Sequence, residues 1–149
     1  MIIAVDFDGT IVEHEYPRIG RPIPNAIEAL KKLQQEERHT LILWTVREGN
    51  LLEDAVNYCS KRGVNFYAVN KNHPDEVEGS APRKLTADVF IDDKNIGGLP
   101  DWGLIYKTIQ AGRNDFEDID DYISDNKPRR KRNLFIRLGE AFESAQKYK

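Results

Sequence analysis

Two carboxylates, Asp6 and Asp8, close the apolar run that starts at Ile2, and Gly9 and Thr10 follow them directly. In extended chain, residues two apart point the same way, so Asp6 and Asp8 share one side and Phe7 takes the other. Gly9 supplies a backbone conformation that a Cβ resists. The N–H groups of Gly9 and Thr10 are in place to cradle an anion. Further along, Thr45 closes the run Thr40-Leu41-Ile42-Leu43-Trp44, and Lys84 ends a long polar segment. Asp92 and Asp93 then follow Asp88-Val89-Phe90-Ile91. Four carboxylates meeting at one place repel one another unless a cation sits among them. Oxygen ligands with no cysteine or histidine nearby select a hard ion, and Mg²⁺ is the natural one. Lys84 and the Thr45 hydroxyl add the positive charge and the donor that a phosphoryl oxygen needs. Arg47, two residues after Thr45, is a candidate to reach a substrate's phosphate or carboxylate; a structural salt bridge is its alternative.

These residues work together only if the fold carries them to one rim. Apolar runs alternate with helical patterns along the chain, which predicts a parallel α/β sheet. Strands are expected at Ile2 to Phe7, Thr40 to Trp44, Asn65 to Val69 and Asp88 to Ile91, with a fifth at Leu104 to Tyr106. Pro22-Ile23-Pro24-Asn25 opens a helix whose Ala26, Ile27, Leu30 and Leu33 recur at helical spacing. A second helix carries Leu51, Leu52, Ala55, Val56 and Cys59, with Gly63 placed for a left-handed cap. The stretch from Asn70 to Arg83 reads as loop. In an open α/β sheet ligands bind outside the carboxyl ends of the strands, where Asp6, Asp8, Thr45, Asp92 and Asp93 stand, and Lys84, just before the fourth strand, is expected to converge on the same rim. The core is expected over 1–112. Residues 113–149 hold a charged segment and a closing helix with the stripe Leu134, Leu138, Ala141, Phe142 and Ala145, expected to pack on that core.

Composition narrows the alternatives. The 149 residues make one domain of ordinary size, and 40% hydrophobic with 32% charged residues describes a folded, well-solvated protein. No apolar run approaches the ~20 residues a bilayer requires, so no membrane partner is expected. The start, Met1-Ile2-Ile3-Ala4-Val5, has no basic lead, and a cytoplasmic location is expected. Cys59 is the one cysteine, which excludes an internal disulfide and a multi-cysteine metal site. The three histidines, His14, His39 and His73, have no partners at metal-ligand spacing. A net charge of -3 gives no general reason to expect nucleic acid. One local basic run, Lys127-Pro128-Arg129-Arg130-Lys131-Arg132, could hold phosphate backbones. Six carboxylates between Asn114 and Asp125 precede it and no aromatic cluster surrounds it, so pairing with that stretch or solvation is favoured.

Asp6-Phe7-Asp8-Gly9-Thr10 after an apolar strand resembles the first motif of the haloacid dehalogenase-like superfamily. Thr45, Lys84 and Phe90-Ile91-Asp92-Asp93 resemble its second, third and fourth motifs, in the family's order, over residues 2 to 93. The resemblance implies a three-layer Rossmann-like fold and a two-step phosphoryl transfer through an aspartyl-phosphate. Asp6 would be the nucleophile, and Asp8 would protonate the leaving oxygen and later take a proton from water. Mg²⁺ would be held by the Asp6 side chain, the Asp8 backbone carbonyl and Asp92, with Asp93 one step further out or acting through water. Gly9, Thr10, Thr45, Arg47 and Lys84 would face the phosphate. An acid two residues after the nucleophile, as Asp8 is, marks the superfamily's phosphatases. The intervals 9–44 and 46–83 leave no room for a cap domain, so an open site is expected. Such a site admits macromolecular substrates, or small ones if a neighbouring subunit or the C-terminal segment gives cover.

Three other readings compete with a Mg²⁺-dependent phosphomonoesterase. A phosphoacceptor receiver domain also combines an acidic pair, an acceptor Asp, a Thr and a Lys, but its acidic pair precedes the acceptor. A non-catalytic phosphate-binding module would keep the motifs without turnover. A nucleic-acid terminal phosphatase would use the basic run as its anchor. Trp102 and the turn Asn95-Ile96-Gly97-Gly98 lie near the same rim and are open to a packing role.

Overall fold

The computed structural model describes residues 1–77 and 84–112, and everything below refers to these. The chain groups into two units, Met1–Asn114 and Asp115–Lys149, and all described residues belong to the first. The closing helix and the basic run lie outside the described residues.

The element order is β1 (Ile2–Val5), α1 (Ala26–Gln35), β2 (Thr40–Leu43), α2 (Gly49–Ser60), β3 (Ala68–Val69), β4 (Val89–Ile91) and α3 (Trp102–Gln110). The strands form one sheet in the order β3-β2-β1-β4, and every pairing is parallel. Strand β1 lies in the middle, which is why Ile3, Ala4 and Val5 are an unbroken apolar run buried on both faces. In register, Val5 stands beside Leu43 and Ile91, and Leu43 beside Val69. The four strands therefore end level. The next residues of each (Asp6, Trp44, Asn70 and Asp92) start from a common rim. Backbone bonds carry the ladder one step beyond the strands: Asp6 N–H to Ile91 O, Trp44 N–H to Val5 O and Asn70 N–H to Leu43 O.

The two faces are covered differently. Ile3, Val5, Leu41, Leu43 and Ile91 point to one side, where all three helices pack. Helix α1 contributes Ala26, Ala29, Leu30 and Leu33, α2 contributes Ala55 and Cys59, and α3 contributes Trp102, Ile105 and Ile109. A leucine buried as fully as Leu30 stabilises the fold by about 1.5–3 kcal/mol. The alternate residues Ala4, Ile42 and Ala68 point to the other side, where Leu85 covers them beside Ile2, Trp44, Ala87 and Phe90.

Three expectations are corrected. Leu104 to Tyr106 is no fifth strand but the middle of α3, so the described sheet has four strands. Asp101 caps that helix, accepting from Gly103 N–H at 2.8 Å, and the buried Trp102, Ile105 and Ile109 recur at helical spacing. A run of three apolar residues is too short to separate the two periods. The three-layer arrangement is also not found among the described residues: the three helices share one face, and residues 70–77 and 84–88 between β3 and β4 form neither helix nor strand. Strand β3, finally, is two residues long rather than five. Parallel α/β architecture of Rossmann-like kind is what the structure has. No helix among the described residues is long and apolar enough to cross a membrane.

Candidate functional site

Asp6 leaves β1 at its centre and meets Asp92 and Asp93, which leave β4 beside it. One carboxylate oxygen from each of the three lies within 4.8 Å of the others. The turn after β1 builds the nest. Gly9 takes φ +88°, and a Cβ there would stand 2.5 Å from Asp93 Oδ2. Only glycine lets the Asp93 carboxylate lie against the turn. Thr10, fully buried, staples the two strands together: its hydroxyl accepts from Asp93 N–H at 3.0 Å and donates to Asp6 Oδ2 at 3.4 Å. The Thr10 carbonyl in turn accepts from the Trp102 indole N–H at 3.0 Å, so Trp102 holds the turn from beneath. Packing is the role the structure gives that tryptophan.

Burial pushes the Asp6 carboxyl up to about 6, the Phe7 backbone N–H pulls against it, and the charges of Asp92, Asp93 and Asp8 push further up. Asp93 Oδ1 is buried with no hydrogen-bond partner among the described residues, while Oδ2 takes the Lys94 ammonium at 2.6 Å. Lys94 is itself held protonated above its ordinary range, first by that bond and then by the Asp93, Asp92 and Asp6 charges. A concentrated negative field with an unpartnered carboxylate oxygen is the donor set a hard divalent cation fits.

Asp8 faces a different partner. Its two oxygens accept from Arg47 Nη2 and Nε, both at 2.7 Å, in a fork with Arg47 wholly buried and Asp8 5% exposed. The same guanidinium donates from Nη1 to Pro17 O at 3.0 Å and from Nη2 to Arg18 O at 2.8 Å. It lies over the rings of Phe7 and Tyr16, 5.0 and 5.4 Å from their centroids. Thr45 closes this part of the rim: its hydroxyl accepts from Arg47 N–H at 3.3 Å. Asn70, at the end of β3, clasps the Thr45 backbone on both sides. Its Oδ1 accepts from Thr45 N–H at 2.8 Å and its Nδ2 donates to Thr45 O at 2.9 Å.

The rim thus brings Asp6, Asp8, Gly9, Thr10, Thr45, Asp92 and Asp93 together, with three differences from expectation. Arg47 does not open into a cleft; the salt bridge is its place, and its side chain is enclosed. The N–H groups of Gly9 and Thr10 are not free to cradle an anion, because they close the turn onto Val12 O at 2.7 Å and Phe7 O at 3.4 Å. Lys84 makes no ion pair with the carboxylates; its ammonium sits over the Phe90 ring, 5.8 Å from the centroid. Two participants went unrecognised in the sequence, Lys94 and Asn70. Asn70 had a signal, an amide side chain directly after a strand in line with the others.

No family model and no curated protein matches the chain. Among solved structures, a conserved protein of Bacteroides thetaiotaomicron is similar, with 60% sequence identity and a TM-score of 0.73. The match covers 80% of this chain and 96% of that one.

Proposed function

The chain belongs to the same family as that Bacteroides thetaiotaomicron protein, and we propose that it is a Mg²⁺-dependent phosphomonoester hydrolase of the capless, haloacid dehalogenase-like kind. The observation that carries this reading is the convergence of Asp6, Asp92 and Asp93 oxygens within 4.8 Å at the carboxyl end of a parallel sheet. Asp6 attacks the phosphorus and becomes the aspartyl-phosphate. With its carboxyl at about 6, it is largely ionised above neutral pH and needs no base. Asp8 gives a proton to the leaving oxygen and takes one from the water that releases phosphate. Asp6, Asp92 and Asp93 would hold Mg²⁺, joined by the Asp8 backbone carbonyl. The ion, when bound, offsets the repulsion between the nucleophile and the phosphate dianion. Thr45, clasped by Asn70, would donate to an equatorial oxygen. Lys94 brings positive charge to the same place; Lys84 would do so after leaving the Phe90 ring.

With no cap among the described residues, the substrate is a phosphorylated small molecule or macromolecule approaching an open rim. Cys59 as the single, buried cysteine fits the cytoplasm. Turnover of p-nitrophenyl phosphate tests the reading. It is expected only with Mg²⁺, to stop on adding EDTA, and to be lost in Asp6→Asn. Near wild-type turnover by Asp6→Asn would overturn it. A long-lived phosphorylated chain after acetyl phosphate, without turnover, would mark a receiver-like phosphoacceptor instead.

A further inference from the structure

We propose, resting on the hydrolase reading, that Arg47 is a positioning residue: it sets the Asp8 carboxylate for proton transfer and ties that setting to the loop 13–21. A structural salt bridge alone gives a poor account of the site. Burying two charges costs several kcal/mol per ion, and apolar residues of similar volume hold a fold equally well. This pair is enclosed all the same, and its geometry constrains one thing above all, the direction of the carboxylate. With Oδ2 on Nε and Oδ1 on Nη2, both at 2.7 Å, the group cannot turn about its Cβ–Cγ bond without losing a charge-assisted hydrogen bond. Each carboxylate oxygen has two lone pairs and the fork takes one from each. The remaining lone pair on one oxygen can carry the proton that Asp8 passes to the leaving oxygen and regains from the water that releases phosphate. Asp8 also lies close enough for its charge to be felt at Asp6.

The second half of the inference rests on the other two bonds. Pro17 O and Arg18 O accept from the guanidinium that holds Asp8, and the Tyr16 ring lies over it. Loop 13–21 is therefore tied to Arg47 at Tyr16, Pro17 and Arg18. A shortened or uncharged side chain at 47 releases both at once.

The discriminating quantity is leaving-group dependence of kcat/KM, which reports the steps up to transfer onto Asp6. A nitrophenolate leaves without a proton, whereas an alkoxide needs one, and a positioned general acid contributes about 10²–10⁴-fold. Arg47→Lys and Arg47→Met are expected to lower kcat/KM for an alkyl phosphate by about 10²-fold or more. For p-nitrophenyl phosphate the fall should stay under about tenfold, since no general acid acts there. Asp8→Asn should show the same split, and Asp8→Asn with Arg47→Lys should be no worse than Asp8→Asn alone. Circular dichroism establishes that each variant is folded; if Arg47→Met is not, Arg47→Lys carries the comparison. Equal losses for both substrates, or losses that multiply in the double variant, would overturn the inference and leave the hydrolase reading standing. A wild-type chain inert toward both phosphates in Mg²⁺ would remove the two together.

Discussion

Removing one partner from the Asp8–Arg47 pair should strongly destabilise the protein, and replacing both should restore most of the loss. The two groups are 5% and 0% exposed and joined by two bonds of 2.7 Å. Removing one charge leaves the other buried and unpaired, at a cost of about 3–5 kcal/mol. Arg47→Met also abandons the Pro17 and Arg18 carbonyls and should fall at the upper end of that range. Total stability for a domain is about 5–15 kcal/mol, so either change removes a large share of it. Urea unfolding followed by the fluorescence of Trp44 and Trp102, in metal-free buffer, reads the effect. With a slope of about 2 kcal/mol per molar, the midpoint should move down by about 2 M. The double variant Asp8→Leu with Arg47→Met puts apolar volume in place of both ions and should recover most of the loss. Single variants within about 1 kcal/mol of wild type, an effect typical of surface pairs, would refute the buried-pair energetics. Strictly additive losses in the double variant would do the same.

Three further outcomes follow from the structure. Asp6 titrates at about 6 against an ordinary 3.8, so its share of stability is fully present below about pH 4 and is lost as pH rises through 6. That difference is worth at most about 3 kcal/mol, reduced by solvent screening to about 1–2; metal-free Asp6→Asn should therefore melt a few degrees above wild type at pH 7.5 and no higher at pH 4, by calorimetry. Adding Mg²⁺ should reverse that order by stabilising wild type alone. Gly9→Ala puts a Cβ 2.5 Å from Asp93 Oδ2 at φ +88°. It should weaken Mg²⁺ binding at least tenfold in isothermal titration, and unchanged affinity would show that Asp93 stands outside the ion's shell. Cys59, buried and with its thiol pushed up to about 12 by that burial, should ignore a disulfide reagent until urea unfolds the chain.

Much of this rim was legible in the amino-acid order because its signals are local. Asp6, Asp92 and Asp93 each follow a β-branched run, and parallel strands ending in register bring such residues together without further instruction. Gly9 is similarly plain as a turn residue, taking φ +88°, although the Asp93 carboxylate that lies against it shows only in the fold. What stayed hidden depends on partners distant in sequence. Asp8 and Arg47 are 39 residues apart, and nothing in either neighbourhood says that they will share a buried fork rather than both face a substrate. Lys94 and Lys84 are both lysines near the same strand; which one reaches the carboxylates is decided by whether the side chain turns to Asp93 or to the Phe90 ring. The missing fifth strand is a matter of length. Leu104, Ile105 and Tyr106 fit either period, and only the Asp101 cap and Ile109 one turn on resolve it.

Covalent labelling of Asp6 bears most directly on what this rim does. Wild-type protein mixed with radiolabelled acetyl phosphate and Mg²⁺, then quenched in acid within milliseconds, should carry label that hydroxylamine releases, as an acyl phosphate must. The label should map to the peptide holding Asp6 and be absent from Asp6→Asn and from wild type in EDTA. Equal labelling of Asp6→Asn, or label on another peptide, would contradict it.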